Sequence, residues 1–198
     1  VKYKGKSIFD YGDVSTCSFH ATKIFHTGEG GAIFCNDQNL TKKIRDFHNF
    51  GHEDEISFNG IGVNGKMSEI NAAMGLSVLP YMNEIFKKRK LICDQYASNL
   101  NSFKMPKIRS NTQWNYSYFP IIFENEIELL EASKRLNEEN IFPRRYFYPS
   151  LNKLPYVNNY TFHVTEQISC RILCLPLSTD LSTEDTKHIT DTIKLKKY

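Results

Sequence analysis

The stretch Ser18-Phe19-His20-Ala21-Thr22-Lys23, followed three residues later by Thr27-Gly28-Glu29-Gly30-Gly31-Ala32, carries most of what this chain discloses about its fold and chemistry. Upstream, Val14 to His20 mixes β-branched, aromatic and small residues and predicts a strand. Ala21 to Gly31 is turn-rich, and Ala32 to Cys35 is a short apolar strand. A lysine is thereby set in a loop after a strand, among small and hydroxyl residues and ahead of a glycine-rich turn. A lysine that attacks a carbonyl must be neutral, whereas a free one ionises near ~10.4, so burial beside polar groups is the usual route to activation. Ser18, five residues earlier, could donate to a phosphate. Local chemistry by itself favours the plainer reading, a solvated lysine in a turn.

The rest of the chain supplies ordinary globular signals. Asp37 is a candidate N-cap for a helix to about Phe47, with Leu40, Ile44 and Phe47 at helical spacing. Gly51, Gly60, Gly62 and Gly65 make 51–65 a loop. Ser68 caps a further helix whose Ile70, Ala73, Met74 and Leu76 form an apolar face, and a long amphipathic run from Tyr81 to Leu100 carries Ile85, Phe86, Ile92 and Tyr96 on one side. Then come a strand over Tyr116–Phe123, a helix over Glu126–Asn140, a strand over Pro143–Tyr148 and a helix over Gln167–Leu175. A capping box at Ser182-Thr183-Glu184-Asp185 opens a terminal helix. The long helix beginning near Pro80 is the natural boundary between two lobes, 1–80 and 81–198, the second a small α+β domain.

Composition narrows the partners. Of 198 residues, 40% are hydrophobic and 24% charged, and the net charge is +3 with basic residues scattered, which gives no support to a nucleic-acid role. Five cysteines (Cys17, Cys35, Cys93, Cys170, Cys174) form no CxxC pair and read as free buried thiols of a reducing compartment. The histidines show no ligand spacing, so no metal is expected. No run approaches the ~20 apolar residues of a membrane span, and no signal peptide opens the chain, so a cytoplasmic protein is expected. Val1 replaces the usual Met in a segment that reads as the middle of something, and sequence upstream is expected.

Two motifs together are more specific. SFHATK with TGEGGA, and Gly62-Val63-Asn64-Gly65-Lys66-Met67-Ser68-Glu69-Ile70-Asn71-Ala72-Ala73 after a plausible interval, resemble the cofactor-lysine segment and the G-x-N-x-[RK]-[ML]-[ST]-[ED]-[IL]-x-A-A segment of the DegT/StrS-type nucleotide-sugar aminotransferases. Pro143-Arg144-Arg145-Tyr146-Phe147-Tyr148-Pro149 and Cys174-Leu175-Pro176-Leu177 resemble that family's C-terminal domain. The resemblance implies an α/β chain of the pyridoxal-phosphate (PLP) transferase fold type I, truncated: residues 1–80 as the end of the large PLP-binding domain and 81–198 as the small C-terminal domain. It implies that Lys23 carries the cofactor and shuttles the substrate proton, that Ser18 binds the cofactor phosphate, and that Asn64 reaches the phosphate in the neighbouring subunit of a homodimer with shared active sites. Tyr146, Tyr148 and Lys66 become candidate contacts for the nucleotide-sugar substrate, each open to a structural reading as core, interface or solvated side chain. His20 is expected to shape the pocket rather than act as a base.

The expected reaction moves an amino group from an amino acid, L-glutamate by family habit, to a keto group of a nucleotide-linked deoxysugar, with dTDP-4-keto-6-deoxyhexose the nearest match. The product would serve amino-sugar and surface-polysaccharide synthesis, lipopolysaccharide included. Relatives with histidine in place of the lysine are dehydratases, so Lys23 argues for transamination. Family chains are about twice this length, and the aspartate that pairs with the pyridine nitrogen falls upstream of Val1; Asp10 and Asp13 are not that residue. The chain by itself is therefore expected to bind PLP poorly and to leave apolar faces uncovered. The alternative is a non-catalytic truncated homologue acting as an oligomerising or regulatory module.

Overall fold

The computed structural model describes residues 1–157 and 160–195. The chain divides into two compact units, Val1–Asn83 with Arg109–Asn115, and Glu84–Ile108 with Tyr116–Tyr198.

In the first unit, β1 (Lys2–Tyr3) pairs antiparallel with both β2 (Lys6–Ser7) and β5 (Thr112–Gln113). Neither β1 nor β2 is legible in the sequence, because two-residue strands carry no periodicity. The informative hairpin is β3 (Val14–Ser18) with β4 (Gly31–Cys35), in antiparallel register from Val14 opposite Cys35 to Ser18 opposite Gly31. Gly31 is required there, since a Cβ would sit 2.9 Å from the Cys17 carbonyl oxygen. The Asp37 carboxylate accepts from the Leu40 amide at 2.8 Å and starts α1 (Gln38–His48). Ser68 caps α2 (Glu69–Val78) by accepting from the Asn71 amide.

The second unit has α3 (Met82–Asn99) running into it, followed by β6 (Phe119–Ile122), α4 (Glu126–Glu138), α5 (His163–Arg171), β7 (Ile172–Leu175) and α6 (Thr183–Lys194). β6 and β7 pair antiparallel from Phe119–Leu175 to Ile122–Ile172. Tyr96, Leu100, Ile121, Leu129, Ala132, Leu136 and Leu173 are fully buried around that pair. Arg89 on α3 donates to the carbonyls of Tyr116, Ser117 and Leu177, fastening the entry to β6 and the exit from β7. Burial lowers the pKa of this guanidinium, which three carbonyl acceptors keep satisfied. Arg135 donates to the Thr192 and Ile193 carbonyls, a cation at the C-terminal end of α6 where the helix dipole favours one.

Several expectations need correction. Pro143–Tyr148 is not a strand: only Arg144 makes a bridge, to Cys174, so the segment lies at the edge of β7 without continuing the ladder. The helix expected over Gln167–Leu175 lies at His163–Arg171, and Ile172–Leu175 is strand, because that aliphatic run completes the pair with β6. Of the cysteines, all free, only Cys93 and Cys174 are buried. The uncovered apolar faces expected of this chain are found on α2, with Ile70 84% and Leu76 71% exposed, and Phe47 on α1 is exposed as well. Among the described residues no helix is long and apolar enough to cross a membrane.

Candidate functional site

The loop that bears Lys23 is closed by backbone bonds. Phe19 donates to the Gly30 carbonyl and accepts from the Thr27 amide, both at 2.9 Å, which carries the hairpin pairing one residue past Ser18. Lys23 donates to the His20 carbonyl at 2.9 Å, a tight turn that sets the lysine at the loop's outer edge. The rings of Phe19 and Phe25 pack edge to face at 4.9 Å beneath it. Lys23 is exposed, and none of the described residues pairs with its amine. Ser18 accepts from the His20 amide at 3.3 Å, which leaves its own O–H free to donate.

His20 is engaged rather than packed. The Thr22 amide donates to its Nδ1 at 3.2 Å, the Thr22 hydroxyl lies 2.9 Å from the same nitrogen, and Nε2 lies 3.7 Å from Glu29. The ring is thus a brace across the lysine turn, half exposed to solvent.

α2 clamps the same loop. Asn71 donates from Nδ2 to the Thr27 carbonyl at 2.6 Å, and its Oδ1 is held by the Ser68 hydroxyl. Gly75 permits the approach, since a Cβ there would meet Thr27 Cγ2 at 2.7 Å. Thr27 is 2% exposed and spends its hydroxyl on the Glu29 carbonyl. Gly30, at φ 148°, admits no side chain either: a Cβ would lie 2.6 Å from Thr27 Oγ1 and 2.7 Å from Met67 Cε. These positioning residues are not apparent from the sequence. Asn71 stands inside a recognised motif, but only the fold reveals that its amide crosses to residue 27. A cavity of about 690 Å³ lies behind the hairpin, between β4, α1 and the start of α2, with Arg45, His48 and Lys66 on its wall.

Asn64 and Lys66 stand together in the same unit. Asn64 forms a bridge with Asn49 at the end of α1, and Lys66 Nζ donates to Asn64 Oδ1 at 2.8 Å while lying 4.0 Å above the Phe50 ring. Tyr146 and Tyr148 belong to the second unit. Tyr146 stacks on Phe147 at 4.0 Å and tilts against Tyr118 at 5.4 Å; Tyr148 lies 3.7 Å under the Arg145 guanidinium, which is paired with Glu126. Burial and the neighbouring Tyr146 raise the pKa of the Tyr118 phenol, so it remains a donor. Phe147 and Tyr148 are well exposed.

The fold is that of a PLP-dependent transferase of fold type I: the solved structure of DesI in the presence of its TDP-sugar product superposes with a TM-score of 0.87 over 97% of this chain and 51% of that one, at 28% identity. The chain belongs to the DegT/DnrJ/EryC1/StrS aminotransferase family, whose model matches residues 1–194. It is similar to a dTDP-4-amino-4,6-dideoxy-D-glucose transaminase of Shigella dysenteriae (38% identical, covering 95% of this chain and 54% of that protein) and to the GDP-perosamine synthase of Escherichia coli O157:H7 (32%, 97% and 54%). The chain spans about half the length of the curated relatives it matches.

Pyridoxal phosphate is the cofactor of this family. The chain's donor set fits part of that group. It provides one amine for an aldehyde, a hydroxyl with an uncommitted O–H for a phosphate oxygen, and an amide whose NH₂ has no partner among the described residues. Among the described residues no group of three or more acidic, histidine or cysteine side chains could hold a metal ion.

Proposed function

We propose that this chain carries the cofactor lysine of a PLP-dependent aminotransferase acting on a nucleotide-linked keto-deoxysugar. The supporting observation is the Lys23 loop. It ends a strand at a serine with a free O–H, is braced by His20 and Asn71, and presents an amine engaged by none of the described residues. Residues 1–80 form the end of the large cofactor-binding domain and 81–198 the small domain, with the 109–115 segment returning to the first.

Bound there, the cofactor supplies an electron sink that lets an amino group pass from donor to acceptor. Lys23 would hold that group through its aldehyde and would move the proton lost and regained at the substrate carbon. Ser18 donates to the phosphate of the same site, and Asn64 to the phosphate held by a second copy, so the working form is a homodimer with shared sites. Tyr146 and Tyr148 offer ring faces for the nucleotide base and hydroxyls for the sugar. The acceptor is the C4 keto group of a dTDP-linked 6-deoxyhexose, a reading supported by the 38% identity to the Shigella transaminase, and the donor, by resemblance to the family, is L-glutamate. The aminated product enters surface-polysaccharide synthesis.

The test is incubation with PLP, borohydride reduction and peptide mapping by mass spectrometry. A PLP adduct on Lys23 that disappears in Lys23→Ala is the expected result. No adduct on Lys23 in the full-length protein would sink the assignment.

A further inference from the structure

We infer that Lys66 is a positioning residue for Asn64: its ammonium captures the amide oxygen and so turns the amide NH₂ outward as a paired donor for the cofactor phosphate. The inference rests on the proposed role of Asn64 and adds to it the group that sets its orientation.

Three observations carry it. First, the backbone around Asn64 is pinned to the end of α1. Asn64 bridges Asn49, Val63 donates to the Phe47 carbonyl and Gly65 to the His48 carbonyl at 2.8 Å each, and Phe50 donates to the Val63 carbonyl at 3.0 Å. Gly62 makes this closeness possible, since a Cβ there would overlap the Gly51 nitrogen and the Phe50 carbonyl carbon. With the main chain held, only the torsions of the Asn64 side chain stay free.

Second, those torsions are set by a partner that admits one answer. The two ends of an amide are nearly the same shape, and which end is oxygen is ordinarily inferred from neighbours. Lysine has three donors and no acceptor, so the atom 2.8 Å from Lys66 Nζ must be the oxygen. The NH₂ then faces the other way, and no other hydrogen bond engages it among the described residues. Two N–H groups left unpaired at one exposed point suit an anion with several acceptor oxygens.

Third, Lys66 is itself located. Its ammonium lies 4.0 Å over the Phe50 ring, a cation–π distance, and Phe50 holds φ at 59°, a left-handed conformation that large side chains rarely adopt. The chain thus aligns ring, cation and amide in series.

The experiment is a double-mutant cycle on the full-length protein, reading dissociation constants for PLP and for pyridoxal, which lacks the phosphate. Lys66→Met and Asn64→Ala should each weaken PLP binding about tenfold, the size of one charge-assisted hydrogen bond, with pyridoxal binding unchanged. The double variant should be no weaker than Asn64→Ala, because Lys66 acts only through Asn64. Lys66→Arg should retain wild-type affinity, since a guanidinium also donates and stacks, and Phe50→Leu should fall between. Losses that multiply in the double variant would show Lys66 contacting the phosphate on its own and overturn the inference. So would an unaltered PLP affinity in Lys66→Met, or a matching loss for pyridoxal. If Asn64→Ala leaves PLP binding intact, the role of Asn64 itself fails, a signature distinct from failure at Lys66 alone.

Discussion

Glu166 concentrates more interactions than any other carboxylate described in the second unit. It accepts from the Phe162 amide at 2.9 Å and the Asn152 amide at 2.7 Å, and pairs with Lys153 at 3.0 Å, tying the segment after Tyr148 to the first turn of α5. The Phe162 N–H first, then Lys153 and Asn152, hold its pKa down to about 2. A carboxylate depressed in the folded state contributes stability above its unfolded pKa, near ~4.3, and that contribution is lost as pH falls through the folded value. Glu166→Gln should therefore melt below wild type at neutral pH, with the gap closing between about pH 4.3 and 2. Thermal melts by circular dichroism across that range check it, and a gap independent of pH would contradict the assignment. Residue identity by itself does not disclose this hub, because its partners lie up to 14 positions away and outside its own helix.

Among the elements, α6 shows how far local chemistry reaches. Ser182 accepts from the Asp185 amide at 3.0 Å while Asp185 accepts from the Ser182 amide at 2.9 Å, the reciprocal capping box that the four-residue pattern announces. Ser182→Ala should cost about 1 kcal/mol, read as a lower urea midpoint with an unchanged m-value. Helix starts at Asp37, Ser68 and Asn125 follow the same logic, each with a side-chain oxygen taking an amide of the first turn. The stretch Ile172–Leu175 shows the opposite. An aliphatic run suits helix or buried strand equally, and pairing with β6 decides for strand.

In the molecule as a whole, the two units are built to different degrees. The hydrophobic residues buried among those described, from Ile92 to Ile193, all belong to the second. The first instead exposes Ile56 at 91%, Ile61 at 93% and Ile70 at 84%, with the apolar face of α2 open. Its order rests on backbone bonds and glycine contacts more than on a closed core. Amides of β6, β7, α4 and α6 should accordingly resist hydrogen exchange far longer than those of β3, β4 and α2 in this chain, measured by exchange mass spectrometry. Equal protection in the two sets would count against a core confined to the second unit.

The residues alone determined helix caps, the two strands that flank the Lys23 loop and membership of an aminotransferase family, because caps, turns and motif spacing act over a few positions of chain. The tertiary structure decided which apolar faces are covered, that Asn71 and Gly75 hold the lysine loop, and that Lys66 turns toward Asn64. It also decided that residues 143–148 stop at one bridge and 172–175 pair as strand. Those outcomes depend on what a distant segment brings to within a few ångströms, and nothing in the local pattern encodes that proximity.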